Sequence, residues 1–171
     1  MKGRIQVYTG NGKGKTTAAI GLAIRAAGAG FRVFIAQFLK GSPTSEVASL
    51  RRFSDSIELR HFGSEKFIIG KPSDADFAAA REGLKEAREA IASGRYQLVV
   101  LDEANVAVHL GLFSVDELIS TIAARPAYVE VVVTGRNADH RLIELADLVT
   151  EMVEVKHYHR EGVEARVGIE K

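Results

Sequence analysis

Ten residues constrain this chain more than any others: Tyr8-Thr9-Gly10-Asn11-Gly12-Lys13-Gly14-Lys15-Thr16-Thr17. They leave a strand-like run, Arg4 to Thr9, and open a run rich in Ala and Leu, Lys15 to Ala27. A glycine-rich turn between a strand and a helix is the setting of a phosphate-binding loop. Glycines at 10, 12 and 14 permit backbone angles that turn amide N–H groups inward, an anion nest at the positive end of a helix. Lys15 adds a point charge for phosphate oxygens, and the Thr16 hydroxyl is a ligand suited to magnesium. One departure stands out. The standard pattern sets four residues between its first Gly and Gly14, but position 9 is Thr, and Gly10 leaves a spacing of three. The loop is tighter at its start than in a hydrolase or kinase.

The rest of the chain supports a parallel α/β fold. Short β-branched runs alternate with longer helix-period runs, as in a sheet covered by helices on both faces. Strands are expected at Arg4 to Thr9, Arg32 to Phe38, Ile57 to Phe62, Leu98 to Asp102, Glu130 to Thr134 and Leu148 to Val155. Helices are expected over Lys15 to Ala27 and Asp74 to Ala92, the latter with Ser73 and Asp76 as a capping box. A third opens with Ser114 and Glu117 as a second box and stops at Pro126. A fourth, Asp139 to Ala146, has Leu142, Ile143 and Leu145 to bury. Gly63 to Pro72 reads as a loop with apolar side chains, and His157 to Lys171 has no clear period.

Composition narrows the function classes. At 171 residues, 46% apolar and 26% charged, the chain is expected to be one domain with a real core. A net charge of +1 gives no global field for nucleic acid. The longest stretch without Asp, Glu, Lys or Arg is the twelve residues from Ala104 to Val115, well short of the roughly 18 to 20 of a membrane span. Zero Cys excludes disulfides, thiolate metal sites and a cysteine nucleophile. The amino-terminal residues move straight into the first strand, so no signal peptide is expected and the expected compartment is the cytoplasm.

Two further segments join the loop. Leu98-Val99-Val100-Leu101-Asp102-Glu103 is an apolar strand ending in carboxylates that can reach a metal near Thr16; alternatively Asp102 caps the following turn. Thr134-Gly135-Arg136-Asn137 ends another strand, where Arg136 either contacts phosphate oxygens or lies in a surface turn.

Taken together, the loop Gly10 to Thr17, Leu101-Asp102-Glu103, Thr134-Gly135-Arg136-Asn137 and the closing Val155-Lys156-His157, Gly162-Val163 and Gly168-Ile169 resemble the phosphate-loop ATP:corrinoid adenosyltransferases. The similarity runs in order from about residue 3 to the end. It implies a RecA-like, mostly parallel sheet of about six strands, a homodimer, and transfer of the adenosyl group of ATP to reduced cobalt. It also implies ATP bound in the opposite sense to other phosphate-loop proteins. Carried across, Gly10, Asn11, Gly12, Lys13, Gly14, Lys15, Thr16 and Thr17 would bind the nucleotide with Arg136 and Asn137. Lys15 and Arg136 would neutralise the leaving triphosphate. Thr16 and Glu103 would ligate magnesium, or manganese in its place, with Asp102 in support. A flavoprotein reductase would supply electrons; neither nucleic acid nor membrane is implied.

The family packs apolar side chains beneath the corrinoid, often from a Gly-Phe-x-Trp segment. This chain has no Trp, and Phe67 in Gly63-Ser64-Glu65-Lys66-Phe67-Ile68 is the expected counterpart, with Phe62 behind it; otherwise Phe67 fills the core. The family's amino-terminal lid has no expected counterpart here. His61, His109, His140, His157 and His159 lack zinc-type spacing, and none is expected to be catalytic. Two other function classes fit the loop: a RecA-like NTPase or small kinase cleaving the terminal phosphate, and a non-catalytic nucleotide or corrinoid carrier.

Overall fold

The structure is a computed structural model that describes residues 2–39, 44–64, 68 and 70–170. Six strands form one sheet: β1 (Ile5–Thr9), β2 (Val33–Phe38), β3 (Ile57–Phe62), β4 (Leu98–Asp102), β5 (Glu130–Thr134) and β6 (Leu148–Glu151). Their order is β3-β2-β4-β5-β1-β6, and every neighbouring pair is parallel. The expected α/β architecture is therefore present. Among the described residues six helices connect the strands: α1 (Lys15–Gly28), α2 (Ser45–Leu50), α3 (Asp74–Ala92), α4 (Ala104–His109), α5 (Val115–Ala123) and α6 (His140–Leu145).

Alternation along the central strands separates two apolar layers. Phe34, Ala36, Phe38, Val99, Leu101, Val131 and Val133 face one way, where Leu84, Ala87 and Ile91 of α3 and Leu118 and Ile122 of α5 cover them. Val33, Ile35, Leu98, Val100 and Val132 face the other way, under Ala19, Ala23 and Ala26 of α1. Every residue of β2 and β4 is buried, as expected of strands covered on both faces, and the two polar ones, Gln37 and Asp102, are bonded to each other.

Both capping boxes form. The Ser73 hydroxyl accepts from Asp76 N while the Asp76 carboxylate accepts from Ser73 N, and Ser114 with Glu117 repeats the exchange. These bonds hold the carboxyls of Asp76 and Glu117 below their usual range.

Several expectations need correction. The last strand ends at Glu151 rather than Val155: Val153 and Val155 are β-branched, but they are 66% and 92% exposed and lie beyond the pairing with β1. Within α6 only Leu142 is buried; Ile143 and Leu145 face outward beside an edge strand that nothing covers among the described residues. The third expected helix, α5, stops at Ala123, ahead of Pro126. Helices α2 and α4 and a 3₁₀ turn at Arg51–Phe53 occupy stretches for which no element was expected, and a second 3₁₀ turn, Tyr158–Glu161, lies in the tail without a clear period. No described helix is long and apolar enough to cross a membrane.

Candidate functional site

Because all six strands are parallel, their carboxyl ends share one edge of the sheet, and ligands of such sheets bind outside that edge. The loop after β1 lies against the segment that follows β6, and at its far end the first turn of α1 reaches the end of β4 through Thr16. Gly10 (φ 92°) and Gly14 (φ 117°) adopt left-handed angles that side chains disfavour, and Gly14 is the residue that caps α1.

Gly12 corrects its expected role. Its φ lies outside the left-handed region, so torsion does not demand glycine there. Space does: a Cβ would lie 2.6 Å from the Met152 carbonyl oxygen. The Gly12 N–H donates to that same oxygen at 2.6 Å, so it closes against the segment after β6 instead of facing inward.

Lys15 is buried and turned under the loop, donating to the Gly10 and Gly12 carbonyls at 2.7 Å each. Burial pushes its ammonium below the usual lysine range; Glu103 pulls it back up, and Arg136 adds a repulsive push. A triphosphate, being charged, is a stronger acceptor than those carbonyls and competes for the same donors.

The carboxylate strand is joined to the loop by a buried network. Thr16 donates to Asp102 Oδ1 at 2.9 Å, and Thr134 donates to the same oxygen at 2.6 Å. Gln37 Nε2 donates to Asp102 Oδ2 at 3.1 Å, as the Gln37↔Asp102 register of β2 and β4 requires. Asp102 is thus wrapped by hydrogen-bond donors on both oxygens. Its hold on the Thr16 hydrogen leaves that hydroxyl's lone pairs for a cation.

Glu103 carries a left-handed backbone (φ 61°), a conformation most side chains avoid, and the Thr134 hydroxyl accepts its N–H at 3.0 Å. Thr134 therefore bridges the two acidic residues. The 135–138 turn is docked on the end of β1 and the start of α4: Gly135 N donates to Tyr8 O, Ala138 N to Thr9 Oγ1, and Asn105 Nδ2 to Gly135 O. This places exposed Arg136 and Asn137 beside the same edge.

The donor set suits magnesium. No group of three or more His, Asp or Glu able to hold a metal occurs among the described residues. A cation here would take one or two protein oxygens and complete its shell with phosphate and water, as magnesium does.

Residues 1–170 match the profile of the family described as ATP:corrinoid adenosyltransferase BtuR/CobO/CobP. The chain belongs to that family. Relatives include a corrinoid adenosyltransferase of Pseudomonas aeruginosa, 41% identical over 170 residues, covering 99% of this chain and 84% of the relative. Those of Escherichia coli K12 and Salmonella typhimurium are each 37% identical over 170 residues, covering 99% of this chain and 86% of theirs.

Within this family member, the loop, Asp102, Glu103 and the Arg136 turn come together, as described. Phe67 lies outside the described residues. Phe62 is buried, its ring centroid 6.0 Å from that of Phe38, so it belongs to the core under α3. Three contributors were missed from sequence. Gln37 looked like one polar residue in an apolar strand. Glu170 and Tyr158 contact Lys13 from about 150 residues away, and no local pattern announces that contact.

Proposed function

We propose that this chain is one nucleotide-binding domain that transfers the 5′-deoxyadenosyl group of ATP to the Co(I) centre of a reduced corrinoid. The cobalt electron pair forms the bond to C5′, the C5′–O bond breaks, and its electrons leave with triphosphate. Cobalt rises formally from Co(I) to Co(III). The nucleophile arrives with the substrate, so the protein's task is to bind, align and neutralise.

One observation supports this reading beyond the family match: the phosphate loop is tied through Thr16 to the buried Asp102 network, an arrangement suited to a cation and a triphosphate at one sheet edge. Gly10, Asn11, Gly14, Lys15, Thr16 and Thr17 line that site, with Gly12 and Lys13 shaping it and Arg136 and Asn137 closing its side. Lys15 and Arg136 stabilise charge growing on the departing triphosphate. Thr16 and Glu103 would hold magnesium, with Asp102 orienting Thr16. When bound, the cation neutralises phosphate oxygens of the leaving group.

Phe67 packs beneath the corrin ring in this reading, a flavoprotein supplies electrons, and the enzyme works as a cytoplasmic homodimer. The test is product analysis with ATP and a chemically reduced corrinoid. Triphosphate and a light-labile cobalt–carbon bond are expected; ADP and orthophosphate as stoichiometric products would overturn the proposal. For Phe67, substitution by Ala should impair reduction to Co(I) more than ATP binding.

A further inference from the structure

Lys13 lies between two glycines in the phosphate loop, where a free cation is the obvious triphosphate ligand. Its side chain is engaged elsewhere. Nζ donates to Glu170 Oε1 at 2.8 Å, to the Ile169 carbonyl at 3.0 Å and to the Tyr158 hydroxyl at 3.2 Å. An ammonium has three donors, and these partners take all of them.

The receiving carboxylate is itself held firmly. Arg166 donates to Glu170 from its backbone N at 2.8 Å and from its guanidinium at 3.2 Å, and the Tyr158 hydroxyl donates to Glu170 as well. These partners, Arg166 first and Lys13 next, hold the Glu170 carboxyl far below its usual range, so it remains anionic at any physiological pH. Arg166 and Lys13 also both approach the Tyr158 ring, at 5.1 and 6.0 Å from its centroid. Next along the loop, Gly12 N–H binds the Met152 carbonyl, while Met152 N donates to Thr9 O at 2.9 Å. The segment after β6 thus grips the loop at two successive residues.

We propose that Glu170 is a positioning residue for the nucleotide, acting through Lys13 to hold the glycine-rich loop in its phosphate-ready shape. A loop with three glycines loses much conformational freedom when a ligand orders it. A clasp formed before binding removes part of that cost from the ATP affinity. The Lys13 ammonium serves the clasp, and the loop meets phosphate through Lys15 and its remaining backbone N–H groups.

This inference rests on the loop binding ATP, so ATP affinity is measured directly, without corrinoid, alongside adenosylation kinetics. Glu170→Gln and Lys13→Met should each raise the ATP Kd and KM about fivefold, the worth of a partly exposed ion pair, with a smaller change in kcat. The double variant should be no weaker than the weaker single, because both remove one interaction. Lys13→Arg should keep affinity within about twofold, since it retains the charge. Thermal midpoints of all four should fall by no more than about 4 °C, the shift expected from losing one such ion pair, which separates loop positioning from general destabilisation.

Three results would overturn the clasp: additive losses in the double variant, a large loss for Lys13→Met with none for Glu170→Gln, or tighter ATP binding by Glu170→Gln. The first two mean that Lys13 touches phosphate, and the third that the tail obstructs the site. A wild type that binds ATP but forms no cobalt–carbon bond sinks the transfer reaction and leaves the clasp standing. Failure to bind ATP at all sinks both.

Discussion

Thr16 donates its hydroxyl hydrogen to Asp102 Oδ1 over 2.9 Å, linking the first turn of α1 to the end of β4. Asp102→Asn keeps the shape but replaces one acceptor oxygen by an NH₂ group facing donors from Thr16, Thr134 and Gln37. At least one buried donor then loses its partner, which costs about 1–3 kcal/mol in denaturant unfolding. The magnesium concentration for half-maximal activity should also rise about 10- to 100-fold, as when a group behind a metal ligand is altered. An unchanged magnesium titration in a destabilised variant would reduce Asp102 to a structural role.

Gly12 and Gly21 make a matched pair for the loop and its helix. At Gly12 a Cβ meets the Met152 carbonyl oxygen at 2.6 Å, whereas at Gly21 nothing lies within 4 Å. Gly12→Ala should cost about 1–3 kcal/mol by overpacking and raise the ATP KM about tenfold or more as the loop shifts. Gly21→Ala should instead stabilise by up to about 1 kcal/mol, the ordinary gain of Ala over Gly in a helix. Equal effects at both sites would mean that the contact with the segment after β6 does not constrain the loop.

What was legible in the sequence followed from local chemistry. Strand runs such as Val131-Val132-Val133 and the two Ser-headed capping boxes carry their structure in adjacent residues, and they formed where expected. The tight loop and the Asp102 strand end were readable for the same reason. Helices α2 and α4 have six residues each, too few for a helical period to emerge. In α4 the Val106-Ala107-Val108 run even suggests a strand. Val153 and Val155 have strand propensity but no partner, and pairing decides a strand more than propensity does. Contacts such as Lys13 with Glu170 depend on how β6 is placed in the sheet, which no short motif encodes.

Lys15 should impose a pH limb on ATP binding. Burial lowers its folded-state pKa below the ordinary 10.5, so between those two values the unfolded chain holds a proton that the folded chain has released. Stability of the ATP-free protein therefore rises with pH across that window, because the unfavourable buried cation is lost. ATP affinity moves the opposite way: it is complete below the folded-state pKa and falls as Lys15 deprotonates. Lys15→Met should abolish both limbs, and Lys15→Ala should lower turnover at least about tenfold. Calorimetric binding and thermal melts across alkaline pH check the opposed signs; parallel trends would refute the assignment.

Gly83 sets how closely α3 approaches the ends of β2 and β3. A Cβ there would lie 2.6 Å from Phe62 Cγ and 2.7 Å from Phe38 Cε1, and the Phe38 ring also meets Phe113 with centroids 5.4 Å apart. Two effects oppose each other in Gly83→Ala. Helix propensity favours the change by about 1 kcal/mol, whereas forcing a methyl between packed rings costs about 1–3 kcal/mol. The clash wins because neither ring is at the end of a flexible side chain, so a net loss of up to about 2 kcal/mol is expected in denaturant unfolding. Adding Phe62→Leu, which frees space at the closest contact, should make the glycine substitution cheaper than in the wild-type background. Strictly additive free energies for the pair would show that Phe62 is not what Gly83 accommodates.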